Sequence, residues 1–162
     1  MENELFAEIF HTLVEKTYSI LKSKDIIILN DHKLPEIIHT NRISMKSITA
    51  FIEISGDCNI MVLLSLDKKI CEQIMKKCFY VDNSMEKNNY LMDTAKELLN
   101  IIIGNSLNTL REKNINIRTN IPETFLTIDL PVCEDEDNLL YTEINTISGS
   151  MLMSLISMEC AA

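Results

Sequence analysis

The chain has 162 residues, 46% of them hydrophobic and only three each of Gly and Pro, which leaves little room for linkers and suits one domain spanning residues 1–162. A formal net charge of -9 argues against nucleic-acid and anionic-membrane partners, because both are bound through clustered Lys and Arg. The acidic start MENELFAEIF is unlike the basic head of a signal peptide, and no apolar run reaches the roughly 18 residues of a membrane span, so a cytoplasmic protein is expected.

Leu5, Phe6, Ile9, Phe10, Leu13, Val14, Ile20 and Leu21 recur at helical spacing and predict a first amphipathic helix from Asn3 to about Lys22. The stretch from Ile26 to Asn41 is irregular, with one short strand expected at Ile26 to Leu29 and a loop at Pro35. Ser47 to Ile54 and Asn59 to Ser65 are rich in Ile, Val, Phe and Leu, and Gly56-Asp57 between them supplies a turn in which Gly can adopt positive φ. These predict a hairpin. Asp67 can cap a helix running to about Cys78, and Asp82, Asn83 and Ser84 break that pattern and offer caps for a long helix ending near Lys113.

Beyond it, Asn116 to Thr119 and Phe125 to Leu130 read as short strands, punctuated by Pro122 and Pro131. Leu139 to Ile147 and Met151 to Met158 form a second hairpin around Ser148-Gly149-Ser150. Helix then hairpin thus occurs twice, a coarse internal repeat without a residue-by-residue match. The acidic run Glu134 to Asp137 is either a solvated loop or a partner contact.

Cys58, Cys71, Cys78, Cys133 and Cys160 are odd in number and contain no C-x-x-C pair, so neither a disulfide framework nor a zinc site is suggested; they read as reduced, mostly buried thiols. His11, His32 and His39 are scattered, and no metal site of the chain's own is expected.

The long helix carries the most specific pattern. Asp93, Glu97, Asn100 and Gly104 fall in a stripe roughly 60° wide, since residues three and four apart are helical neighbours. Leu91, Ala95, Leu98, Leu99 and Ile102 point away from it and form a face to be buried on the sheet, while Ile101 and Ile103 flank the polar stripe. Gly104 costs about 1 kcal/mol against alanine inside a helix, so its position invites a reason. Either another protein's backbone passes close by, or a strand of this chain packs there.

The spacing Asp-x3-Glu-x2-Asn-x21-Pro, running from Asp93 through Glu97 and Asn100 to Pro122 with Gly104 four residues beyond the asparagine, resembles the signature of the CheC/CheX family of chemotaxis phosphatases. The gap before Pro122 is one residue shorter than the family's usual one. The resemblance implies an α+β, CheC-like two-layer fold, with a mostly antiparallel sheet packed against long helices and a pseudo-repeat of helix plus hairpin. It also implies hydrolysis of the phosphoryl-aspartate on a CheY-like response regulator. In that reading Asn100 positions the attacking water, Glu97 docks to a regulator lysine, Asp93, Ile101 and Gly104 meet the partner, and Pro122 is a structural part of the motif. The regulator supplies the Mg2+, so the chain needs no cofactor of its own.

The residue types suit that chemistry. An acyl phosphate already has a good leaving group, so a water held in line with phosphorus is needed more than a strong base. A carboxamide can hold water without titrating and without repelling phosphoryl oxygens. The first helix has Glu8 with His11 where a second Asn would fall, so the resemblance is closer to CheX, with one site per chain and a homodimer expected. Two other readings stand beside it: a non-catalytic regulator-binding or flagellar-switch adaptor of the same fold, and a small-ligand sensor, for which no Gly-rich phosphate loop speaks.

Overall fold

A computed structural model of the chain describes residues 2–29, 38–39, 42–79, 87–126 and 139–158. Helix α1 spans Glu2–Ser23 and helix α3 Lys87–Glu112, with the shorter α2, Lys68–Phe79, between them in sequence. Both long helices stop in the same way. At the end of α1 the Asp25 N–H donates to the Lys22 carbonyl and the Ile26 N–H to the Leu21 carbonyl, each at 3.0 Å, with Asp25 at φ 55°. At the end of α3 Asn114, at φ 61°, donates to the Arg111 carbonyl and Ile115 to that of Leu110, each at 2.9 Å. This bond pair needs a left-handed residue, and without glycine the short polar side chains of Asp and Asn tolerate it best. Ile26 and Ile115 then enter the same buried core as Leu21 and Leu110.

Strands β1 (Ile38–His39), β2 (Ile48–Gly56), β3 (Ile60–Leu66), β4 (Ile117–Thr119), β5 (Glu123–Leu126), β6 (Leu139–Thr146) and β7 (Gly149–Ser157) form one antiparallel sheet. Its order is β1-β6-β7-β3-β2-β4, with β5 also pairing β2. Strand alternation sorts the side chains. Ile52, Ile54, Val62, Leu64, Met153 and Leu155 join the helices in the main core, whereas Leu63, Leu139, Leu152 and Ile156 face the other way and pack with Ile43 and Met45. The fold is therefore α+β and two-layered, as expected, with a smaller apolar cluster on the outer face.

Aligning the two helix ends sets a residue-level register for the internal repeat. At one constant offset Leu21 matches Leu110, Asp25 matches Asn114, and Thr17 matches Ser106, whose hydroxyls donate one turn back to the Leu13 and Ile102 carbonyls. The sheet follows the same scheme: Ile28 bridges β6 at Thr146, and β4 pairs with the end of β2. The hairpins β2–β3 and β6–β7 meet through the β3–β7 pairing.

Several boundaries differ from the sequence reading. The stretch Ile26 to Leu29 makes only an isolated bridge, because its partner strand turns away at Ile147 and Ser148. The second hairpin turn is tighter than Ser148-Gly149-Ser150, with Gly149 already paired to Thr146. Strand β5 begins at Glu123, ahead of Phe125. Asp67 sits before α2 and its carbonyl accepts the Cys71 N–H at 3.0 Å, but its carboxylate turns to Ser150, accepting from N–H at 2.9 Å and Oγ–H at 3.0 Å. Cys133, Cys160, His32, Pro35, Pro131, the caps Asp82, Asn83 and Ser84, residues 127–130 and the acidic run Glu134 to Asp137 lie outside the described residues.

Candidate functional site

Helix α3 is stiff because its inner face is buried along its length. Leu91, Ala95, Leu98, Leu99, Ile102 and Leu110 are at most 1% exposed, and the large side chains among them stabilise by about 1.5 to 3 kcal/mol each. Helix α1 lies against it on one side, α2 on another and β2 beneath. The Cys71 thiol of α2 donates to the Leu91 carbonyl at 3.3 Å, and burial pushes that thiol up to about 12. A thiol so placed is a packing group, not a nucleophile.

The outer face carries the expected stripe. Asp93, Glu97, Asn100 and Gly104 are all exposed. Among the described residues neither Glu97 nor Asn100 has a side-chain hydrogen-bond or ion-pair partner. Ile101 is half-buried beside them, whereas Ile103 is 2% exposed and belongs to the core. The expectation that Ile103 flanks the stripe is thus corrected: neighbouring elements cover more of α3 than the periodicity of a single helix reveals. Gly104 is resolved more sharply. A Cβ built there would meet nothing within 4 Å among the described residues, so none of the described strands packs against it. It leaves a gap in the side-chain wall directly beside Asn100.

Pro122 stands apart from the stripe and is buried. Asn120 still bonds to β2, its N–H donating to the Glu53 carbonyl at 3.1 Å, and Glu123 pairs with Phe51. Between those points β2 advances two residues and the opposing chain three, which is a β-bulge. Proline has no N–H to waste at the unpaired position. Strand β5, which it introduces, packs against α3.

The repeat register gives the site a built-in comparison, because it sets Glu8 against Glu97, His11 against Asn100 and Glu15 against Gly104. Glu8 is paired with Lys113, which follows α3, and this hydrogen-bonded partner lowers the Glu8 carboxyl below its ordinary value. The residue matching Lys113 is Lys24. Its charge is felt at Cys78, where burial raises the thiol and Lys24 and Lys77 pull the other way. The contact that occupies Glu8 is therefore not reproduced at Glu97. Arg111 was not among the expected site residues, yet it lies on the same stripe two turns beyond Gly104, where helical spacing alone places it.

Among the described residues no three His, Cys, Asp or Glu side chains gather as metal ligands, and no helix is long and apolar enough to cross a membrane. His11 is exposed on α1, and His39 takes part in β1 through its backbone.

No curated protein matches the chain. Solved structures share its fold at low identity. A chemotaxis protein CheX from Desulfovibrio desulfuricans superposes with a TM-score of 0.75 at 16% identity, covering 93% of this chain and 99% of that one. A CheX from Borrelia burgdorferi, solved as a CheX-CheY-BeF3-Mg+2 complex, gives 0.65 at 16% identity, covering 91% and 96%. Thermotoga maritima FliY gives 0.63 at 17% identity, covering 98% and 90%. The family model described as "Chemotaxis phosphatase CheX" matches residues 48–142, more than half of the sequence and the whole of the α3 stripe, and the chain belongs to the CheX family of chemotaxis phosphatases.

Proposed function

We propose that the chain acts as a single phosphatase domain that hydrolyses the phosphoryl-aspartate of a CheY-like response regulator, with Asn100 holding the attacking water and Glu97 docking to a regulator lysine. The observation that carries this reading is the exposed Glu97–Asn100 pair, without partners among the described residues, on a helix whose opposite face is fully buried. Residues three apart on a helix have Cβ atoms about 5 to 6 Å apart, so one approach can bring both to adjacent groups of a partner.

In the reaction the water oxygen bonds to phosphorus while the bond from phosphorus to the aspartate oxygen breaks. The aspartate leaves as a carboxylate, and inorganic phosphate carries away the water's proton or passes it to solvent. The Asn100 carboxamide accepts from the water and thereby fixes its lone pair toward phosphorus, and its N–H groups can donate to a phosphoryl oxygen. Glu97 reaches a regulator lysine as water leaves the interface, a charge-assisted contact worth a few kcal/mol. The open space at Gly104 admits the partner's backbone close to Asn100. The regulator would bring its own Mg2+, as the Borrelia complex contains CheY and that ion together.

The test is phosphate release from purified phosphorylated CheY-like regulators, with and without the chain. Asn100→Ala is expected to lose on the order of a hundredfold or more while still binding, since only water placement is removed. Unchanged release by the folded variant would overturn the assignment. A non-catalytic adaptor would use the same exposed face, and it predicts binding with no acceleration by the parent chain.

A further inference from the structure

We propose that Arg111 and Arg118 form a basic clamp at the far end of the α3 stripe that takes acidic side chains of the docked regulator. The inference rests on the proposed phosphatase reading and names a second contact on the same partner.

Both residues are exposed and line one open cleft of about 550 Å³, with Ser55, Gly56, Asp57 and Asn116. Arg111 comes from the last turn of α3, and Arg118 from β4, where it pairs with Ser55 of β2. The hairpin turn closes the cleft floor. Gly56, at φ 130°, brings its backbone so near Asn116 that a Cβ would lie 2.4 Å from the Asn116 carbonyl oxygen. The Asp57 carboxylate is committed to that turn, accepting the Asn116 N–H at 2.7 Å. Among the described residues neither guanidinium has an ion-pair or hydrogen-bond partner.

In a chain of net charge -9, two unpaired arginines in one cleft are a local reversal of sign. Their place relative to the stripe gives the reversal a use. At about 100° per residue Arg111 shares the azimuth of Asp93, and at about 1.5 Å per residue it lies roughly 16 Å along the axis from Asn100. A single domain of about 100 residues has a radius of gyration near 13 Å, so a regulator seated on Asn100 spans that distance. The stripe thus offers a partner a carboxylate at Glu97, a gap at Gly104 and guanidiniums beyond. The complementary surface is a lysine at the reacting end and Asp or Glu at the other, and two such opposed contacts fix the direction in which the regulator lies along α3.

A merely structural Arg111, complementing the carbonyl end of α3, would affect melting and leave the encounter untouched. The test therefore measures steady-state phosphate release from a phosphorylated CheY-like regulator, together with direct binding, for the parent, R111Q/R118Q and R111K/R118K from low to physiological ionic strength. The Gln pair is expected to raise KM about tenfold with kcat held within about twofold, and to flatten the salt dependence of KM. The Lys pair is expected to keep the parent's salt dependence. Unchanged KM and salt dependence in a folded Gln pair, with the parent active, would overturn the clamp and leave Asn100 catalysis standing. A parent that neither binds nor dephosphorylates any such regulator would overturn both.

Discussion

Asn100→Asp separates water positioning from general-base catalysis, because it keeps the side chain's shape and exchanges the amide for a carboxylate. Asn100 is exposed, and its side chain has no hydrogen bond to a described residue, so the fold should not register the change. In the docked complex the new charge would stand about 4 Å from the phosphoryl oxygens. At an effective dielectric near 20 that repulsion is about 4 kcal/mol, or roughly a thousandfold in rate. Glu97 lies one turn away on the same stiff helix, and a second carboxylate at that distance favours the protonated form of the new one. Single-turnover phosphate release measured across pH should show a severe loss at neutral pH and partial recovery on acidification, while binding at neutral pH also weakens. A base mechanism requires the opposite, since a carboxylate takes a proton better than an amide does. Activity at or above the parent level at neutral pH would refute the water-positioning argument.

Glu97→Ala should weaken regulator affinity by about tenfold or more and lower turnover with it; an affinity unchanged by calorimetry would remove the docking role. Gly104→Leu should abolish complex formation while raising the melting temperature by a few degrees, because helix propensity improves by about 1 kcal/mol and a Cβ there meets no described atom within 4 Å. A drop in melting temperature would instead indicate internal packing. Glu8 and Glu143 are held below the ordinary glutamate value of 4.5, each first by its lysine hydrogen bond, from Lys113 and Lys46. Depressed carboxylates stabilise the fold above that value and lose the contribution as pH falls through their lower folded values. Both pairs are solvent-screened, so the stake is at most about 1 kcal/mol each. Melting of K46M/K113M should approach that of the parent at pH near 3 and fall below it at pH 7; an equal gap at both would show that the pairs do not titrate with the fold.

The sequence revealed the helices and hairpins because each buries one periodic face: the α3 core residues Leu91, Ala95, Leu98, Leu99 and Ile102 all proved buried. It failed where tertiary contacts decide. Ile103 joins the core through surroundings that no α3 periodicity encodes. The Pro122 bulge depends on β4 and β5 sharing β2, a pairing that three- and four-residue strands do not announce. Gly104 was ambiguous as a letter and became informative only once the space above it was known. Arg111 was readable, since it continues the spacing of the stripe, but an arginine in the last turn of a helix has a sufficient local explanation in the helix dipole. Arg118, from a different element, supplies what that explanation lacks.

The internal repeat also accounts for a single expected site in a chain with two similarly built helices. At the register fixed by the helix ends, α1 and α3 have the same inward face and the same left-handed stop, so the scaffold does not distinguish them. What differs is the outward face. On α1 the acidic residue Glu8 is already satisfied by Lys113 of the same chain, His11 stands where α3 has the Asn100 carboxamide, and Glu15 fills the place where Gly104 leaves space while adding negative charge. The committed Glu8 no longer offers a free carboxylate to a partner lysine, and the charge of Glu15 repels an anionic phosphoryl group. The ion pair also ties the end of α3 to the start of α1, so the face closed to a partner serves to hold the other helix in position. One helix is thus fixed by contacts inside the chain, whereas among the described residues Glu97 and Asn100 on the other have no side-chain partner.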